Sequence, residues 1–246
     1  MNKLIISTAV MVLLCICTGC PSMNTTVTGN GIRITKELPH QGFTAVSIGG
    51  SWKVEIAYSE TFSIKIEADE NLFDFFDISV SNNTLHLKTK RGYTIVSPKC
   101  PNAGNKAFIT MPVLTHLSGS GATTATVLEF NRPESDLSVA ISGNGDIIAN
   151  NISINNVKLT ISGSGAFVST GRAQNMTAVV SGSGKVQAAN LEVNTADVSI
   201  SGSGSAELWV TEKLKADISG SGTVRYKGSP TLSQSISGSG SISTLD

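Results

Sequence analysis

KLTISGSGAFVSTG, residues 158–171, holds the tetrapeptide on which the fold turns: SGSG occurs six times in the 246-residue chain and once more as SGNG. The copies begin at Ser118, Ser142, Ser162, Ser181, Ser201, Ser219 and Ser237, so the spacings run 24, 20, 19, 20, 18 and 18. A catalytic motif is used once, whereas a string that returns about every 20 residues marks a solenoid of stacked units that cannot stand alone.

The flanking residues say which solenoid. One, three and five positions before the first serine stand Ile161, Leu159 and Val157; Val180, Ala178 and Met176; Ile200, Val198 and Ala196; Ile218, Ala216 and Leu214. Between them stand Lys158, Thr160, Thr177, Asp197, Lys215 and Asp217. This period-two alternation is that of a strand with one buried face, and nothing here repeats at the 3.6 residues of a helix. The same parity resumes five places after the first serine with Ile147, Phe167, Val186, Ala206, Val224 and Ile242, and more weakly at seven. Each unit therefore reads strand, tetrapeptide, strand, loop. The expected fold is all-β, a single-stranded right-handed parallel β-helix (β-solenoid) with 18–20 residues per coil and coils about 4.8 Å apart. If alternation runs through the tetrapeptide, both glycines face inward, where a Cβ would collide, and both serines stack outward as a hydroxyl ladder.

Residues 44–117 read as irregular coils preceding the regular ones of 118–246. VSIGGSWKVEIAY, from Val46 to Tyr58, is a degenerate copy of the repeat. DISVSNNTLHLKTK reads as two strands joined at Asn82 and Asn83. DENLFDFF, with Leu72, Phe73, Phe75 and Phe76, is a short helical or irregular plug, the N-terminal capping segment that keeps the first coil from exposing unpaired edges. The last strand has no such plug; it is either blunted by Asp246 or covered by another molecule, which makes end-on self-association a candidate.

The N-terminus follows different rules. Lys3, the apolar run Leu4 to Ile16 and small residues ending at Cys20 have the layout of a secretory signal, too short to be preferred as a permanent span. CTGC before Pro21 resembles a bacterial lipobox, which implies cleavage before Cys20 and its lipidation; Cys17 stands where that motif usually has Leu. An ordinary cleaved signal or an uncleaved anchor would use the same run. The division is then a signal peptide over 1–20, a linker and first strand over 21–43, and the solenoid over 44–246. Loss of residues 1–19 removes Lys3 and leaves 17 basic against 18 acidic side chains. Without clustered Lys or Arg the chain has no footprint for nucleic acid. Cys15 and Cys17 leave with the signal, so Cys100 in SPKCPNAGN has no disulfide partner and reads as a passive loop thiol.

With these residues laid out, VSIGGSWKVEI, IEADENLFDFF, FITMPVLTHLSGSG and the serial SGSG units resemble the bacterial auto-transporter adhesin, head GIN domain family, over nearly all of 44–246. The resemblance implies a β-helical protein of the bacterial cell envelope and carries no catalytic residues to transfer. Asn144 in place of Ser and the 24-residue gap after Ser118 depart from the regular pattern.

Chemistry is sparse. No GxxxxGK[ST] phosphate loop exists, and only Asp146 follows an SGxG as a calcium-binding nonapeptide would require. His40, His86 and His116 are far apart and read as ordinary strand or surface residues. No catalytic residue, metal or cofactor is expected, and the chain is expected not to be an enzyme. Equal offsets in successive coils are spatial neighbours, which places Glu207 beside Arg225 and, eight positions after the serine, Trp209 between Ala189 and Lys227. These four, Glu207, Trp209, Arg225 and Lys227, form a candidate ligand patch. A cross-strand ion pair and a cation–π contact would explain the same residues without a ligand. The leading function is a lipid-anchored, non-enzymatic envelope protein, periplasmic or surface-exposed on the outer membrane, that contacts glycans or envelope proteins. The alternative is a carbohydrate-binding or polysaccharide-processing β-helix using the face near Trp209. A purely structural scaffold would share every feature of the first.

Overall fold

Burial follows the period-two pattern. Val157, Leu159 and Ile161 are at most 1% exposed, and Lys158 and Thr160 between them face solvent. Strands buried on one face only must stack, and the computed structural model is a β-solenoid of about six turns, 75% strand and 3% helix. It describes residues 24–96 and 104–245. The signal-like segment with Cys20, the loop carrying Cys100, and Asp246 lie outside the described residues.

The base of the stack is wound out of chain order. After β1 (Thr25–Thr28) and β2 (Arg33–Glu37), the degenerate repeat forms a coil from β3 (Ala45–Gly49) and β4 (Trp52–Tyr58). The chain then builds a layer on that coil's other side: β5 (Ser63–Asp69), a 3-10 turn (Glu70–Phe75), β6 (Phe76–Ser81), β7 (Thr84–Thr89), β8 (Tyr93–Val96) and β9 (Asn105–Met111). β7 and β9 pair in parallel with β3 and β4. β6 closes β7, β5 closes β9 and β2 closes β5, all antiparallel, while β8 pairs with β1. Asn82 and Asn83, both at positive φ, turn the β6–β7 hairpin as their sequence suggests. The expected plug at DENLFDFF is the 3-10 turn, with Leu72 1% exposed and Phe76 packed 4.8 Å from Trp52 between ring centroids. Arg33 ties the outermost pair together, donating to Glu67 at 3.1 Å and Asp69 at 3.3 Å. Its guanidinium, helped by Lys106, outweighs desolvation and holds the Glu67 carboxyl below the usual glutamate range.

Above the first coil, β10 (His116–Gly121) lies on β3 and β11 (Thr124–Leu128) on β4. The regular coils follow as β12 (Asn131–Gly143), β13 (Asp146–Gly163), β14 (Ala166–Gly182), β15 (Lys185–Gly202), β16 (Ser205–Gly220), β17 (Thr223–Lys227), β18 (Thr231–Gly238) and β19 (Ser241–Thr244). All of these stack in parallel, and the serines at 142, 162, 181, 201, 219 and 237 stand in one file. Among the described residues nothing pairs with the outer side of β18 or β19, and Ile236 is 42% exposed.

Four details differ from the sequence expectation. First, the loop of each unit is a third side: Asn131–Arg132, Ser153–Ile154, Arg172–Ala173, Glu192–Val193 and Trp209–Val210 pair coil on coil. Ile152, Ile154, Ala173, Leu191, Val193 and Val210 are buried there. Second, SGSG at 118 is displaced by two, because Ser120 aligns with Ser142 and Gly119 with Ile141. Gly119 takes the place of a core isoleucine, and the room is filled by the buried Thr123, whose side chain would lie 3.7 Å from a Cβ on Gly119.

Third, the two glycines do different jobs. Gly163 has φ +125° and is only half-buried; a Cβ there would point along the stack, 2.5 Å from the carbonyl oxygen of Gly143. The second glycine does face inward, against the β-branched residue that precedes the tetrapeptide in the coil beneath. Fourth, the serines face out, but among the described residues no hydroxyl of the 142–237 file bonds to another; the one bonded serine pair, Ser118 with Ser47 at 3.0 Å, belongs to the displaced copy. Their role in the regular coils is solvation.

Phe167 fills the column five places after the serine, and Ser169 stands at seven, where coils on either side have Ala149 and Ala188. Ser169 is 1% exposed and its hydroxyl has no hydrogen-bond partner. Removing an unsatisfied buried hydroxyl relieves its desolvation penalty, so Ser169→Ala is expected to stabilise the chain by about 1 kcal/mol. A shift of the denaturant midpoint upward at unchanged slope would show it; a downward shift would mean the hydroxyl is paired in solution.

Candidate ligand-binding face

The patch around Trp209 lies where the second side of the coil turns into the third. The alternation that buries Ala206, Leu208 and Val210 sends Glu207 and Trp209 outward on β16, and β17 does the same with Arg225 and Lys227. Glu207 pairs in register with Arg225, which donates to its carboxylate, and Trp209 pairs with Lys227, whose ammonium sits 4.5 Å from the indole centroid. Both expected pairs are therefore formed.

The third neighbour is not the expected one. Coil 181–201 has 20 residues and coil 201–219 has 18, and the difference is taken up at the corners. Ala188 pairs with Leu208 but Glu192 pairs with Trp209, three residues fewer at one corner; between Val193 and Thr195 one more is regained. Glu192, not Ala189, is thus opposite Trp209. Glu192 in turn pairs in register with Arg172 and accepts from its guanidinium at 3.1 Å. The outward file on this side reads Ser153, Arg172, Glu192, Trp209, Lys227. Beside it lies a groove of about 260 Å³ lined by Ser153, Arg172, Gln174, Glu192 and Asn194, in which the Asn194 amide donates to Gln174 at 3.0 Å.

A second feature was missed from the sequence. Asp136, Asn156, Asn175 and Thr195 form one in-register file. Asn156 donates to Asp136 at 2.7 Å, Asn175 to Asn156 at 2.9 Å, and the Thr195 hydroxyl to Asn175. All four sit six places before a first serine, so reading that offset as well would have exposed the ladder. It borders a wider groove of about 750 Å³ with Glu134, Lys158 and Thr177.

Elsewhere charged side chains meet as ion pairs, Arg33 and Lys106 around Glu67 and Asp69 at the base and Lys215 between Asp197 and Asp217 higher in the stack. His86 and His116 each occupy a strand position facing other coils, with His86 opposite Ser47 and His116 opposite Ala45; His40 lies apart in the segment before β3. Among the described residues no three of His, Cys, Asp and Glu come together to hold a metal, and no helix is long and apolar enough to cross a membrane. Asp146 accepts from the Ala166 amide at 3.1 Å, a link between coils.

With this geometry established, similar proteins are informative. A putative adhesin of Bacteroides fragilis superposes with a TM-score of 0.78 at 24% identity, covering 89% of this chain and all of that one. A protein of Parabacteroides distasonis described as a putative lipid binding protein gives 0.74 at 25% identity, covering 90% and 100%. A putative adhesin of Parabacteroides merdae gives 0.69 at 23%, with the same coverage. No curated protein matches the chain. Residues 42–230 match the family model "Putative auto-transporter adhesin, head GIN domain", and the chain belongs to that family.

Proposed function

We propose that this chain is a non-enzymatic, lipid-anchored protein of the bacterial cell envelope whose solenoid displays a long regular surface for adhesion or contact with other envelope components. The observation that carries this is the stack itself: a rigid side-chain-filled core with outward files of polar groups that repeat at each coil. Such files recognise extended partners rather than enclose a reacting atom. The family's adhesin description supports the same reading, and the lipobox-like CTGC supplies the anchor at Cys20.

Cys20→Ser is expected to move the chain from the membrane pellet to the soluble fraction of lysed cells. Protease added to intact cells is expected to remove the solenoid while a periplasmic marker survives. Protection of the chain on intact cells would replace display by a scaffold role inside the envelope.

The carbohydrate-binding alternative is favoured by one observation, the half-exposed Trp209 indole flanked by paired charges.

A further inference from the structure

We infer that the file Arg172, Glu192, Trp209, Lys227, with the groove beside it, is a binding site for a linear oligosaccharide laid across the coils parallel to the solenoid axis. This deepens the carbohydrate-binding reading by naming the site, the geometry of the ligand and its direction across the coils; it rests on that reading, and takes only its biological setting from the display reading.

Four observations lead there. The file crosses four coils in register, a run of about 14 Å at the strand spacing. One end is an indole, a flat apolar surface suited to the C–H face of a pyranose; the other is a groove whose walls are a guanidinium, a carboxylate and two amides. These planar groups present paired donors and acceptors of the kind that vicinal hydroxyls satisfy. Both arginines are matched, Arg172 to Glu192 and Arg225 to Glu207, and Lys227 alone rests on the indole, which fits a ligand recognised mainly by hydrogen bonding rather than by net charge.

The remaining ligand classes fit less well. A peptide adding itself as a strand needs free backbone groups, and here the backbone of Arg172, Glu192 and Trp209 is paired to coils on both sides, so that only Lys227 lies at an open edge. A nucleic acid needs a run of unpaired cations. An apolar ligand needs an enclosed apolar pocket, and this groove is open and polar.

Lys227 lies over the indole in the free protein. A pyranose takes its place on the ring, and the ammonium, on its flexible stem, moves to the rim where it donates to a ring or hydroxyl oxygen. The exchange replaces a cation–π contact by stacking and a hydrogen bond, so affinity is expected to be modest and to grow with the number of sugars that also reach the groove.

The test uses the full chain purified in detergent, titrated with cellohexaose, chitohexaose and hexagalacturonate. The chain has two tryptophans and Trp52 is 2% exposed, so a ligand-dependent fluorescence change reports Trp209. At least one hexasaccharide is expected to bind with a dissociation constant below about 1 mM. Measured by titration calorimetry, because these variants lack the fluorescent reporter, Trp209→Ala should weaken it roughly tenfold or more and Trp209→Phe by only about threefold. Arg172→Gln with Glu192→Gln, both at the surface, should weaken the hexasaccharide but leave the corresponding disaccharide nearly unchanged. Which of the three sugars binds tells a neutral, N-acetylated or acidic preference apart. No fluorescence change with any probe up to about 10 mM, or full affinity in both the Trp209→Ala and the double-glutamine variants, overturns the inference. Protease shaving of intact cells is unaffected by either result, so the display reading stands or falls separately.

Discussion

Gly163→Val is expected to destabilise the solenoid by about 4–5 kcal/mol, at the exceptional end for one substitution, while Ser164→Ala one residue later changes it by less than about 0.5 kcal/mol. At φ +125° a branched residue is strained by about 1–3 kcal/mol before any contact is counted. Its Cβ would then stand 2.5 Å from the Gly143 carbonyl oxygen and 3.1 Å from the Gly143 nitrogen. That same oxygen accepts from the Ser164 and Gly165 amides at 2.9 and 3.1 Å, so coils forced apart here also lose two hydrogen bonds worth about 1 kcal/mol each. No side chain is among the obstacles, so nothing nearby can rearrange to relieve them. Ser164, by contrast, points into water. Melting temperature and denaturant midpoint measure both, and for a chain of this size the valine should lower the former by about 10 °C or more. Hydrogen exchange would place the loss, because damage in a stacked array spreads from one interface. Equal tolerance of the two changes would mean that the backbones of Gly163 and Gly143 are not as close as described and that a side chain fits between the coils.

The family of tetrapeptides made the coil legible because period-two parity is strict wherever a strand is half-buried: Val157, Leu159 and Ile161 could be placed from the sequence alone. What escaped were features that depend on how many residues each corner consumes. Trp209 was paired correctly with Lys227, since the last coils have equal spacing, and incorrectly with Ala189, since the spacing below it changes from 20 to 18. The shift of SGSG at 118 has the same origin. Identical letters suggested an identical corner, but Thr123 occupies the inner volume there, and Gly119 yields the space. The third side was hidden because its paired segments are only two to four residues long, too few to show a period. The doubled-back base left no mark in sequence beyond irregularity: β7 and β9 look like ordinary strands, and only their pairing puts them beneath a coil that precedes them. Of the ligand face, the aromatic and its two cations were visible, whereas Arg172 and Glu192 joined it through the register shift.

The second glycine of the tetrapeptide should behave unlike the first in a double-mutant cycle. Gly222 has no unusual φ, so an alanine there is conformationally free, and what its Cβ meets is the Ile200 side chain, with Cγ2 at 2.6 Å and Cβ at 3.4 Å. The Gly204 carbonyl oxygen is also close, at 3.1 Å, and needs only a small shift. Gly222→Ala alone is then an overpacking change, expected to cost about 1–3 kcal/mol. Ile200 is 1% exposed, and Ile200→Ala alone leaves a cavity at an expected cost of about 2–5 kcal/mol. In the double variant the new methyl enters space the isoleucine has vacated, so the combined loss should fall short of the sum by about 1–3 kcal/mol. The corner would then be defined by a pair, a β-branched residue before one tetrapeptide and a glycine ending the next, which is the arrangement that Gly119 and Thr123 reverse within a single coil. Gly163→Val combined with the same Ile200→Ala shares no contact with it and should be additive within about 0.5 kcal/mol. If Gly222→Ala is also additive with Ile200→Ala, backbone crowding against Gly204 sets the limit at the second position too, and the two glycines are one class.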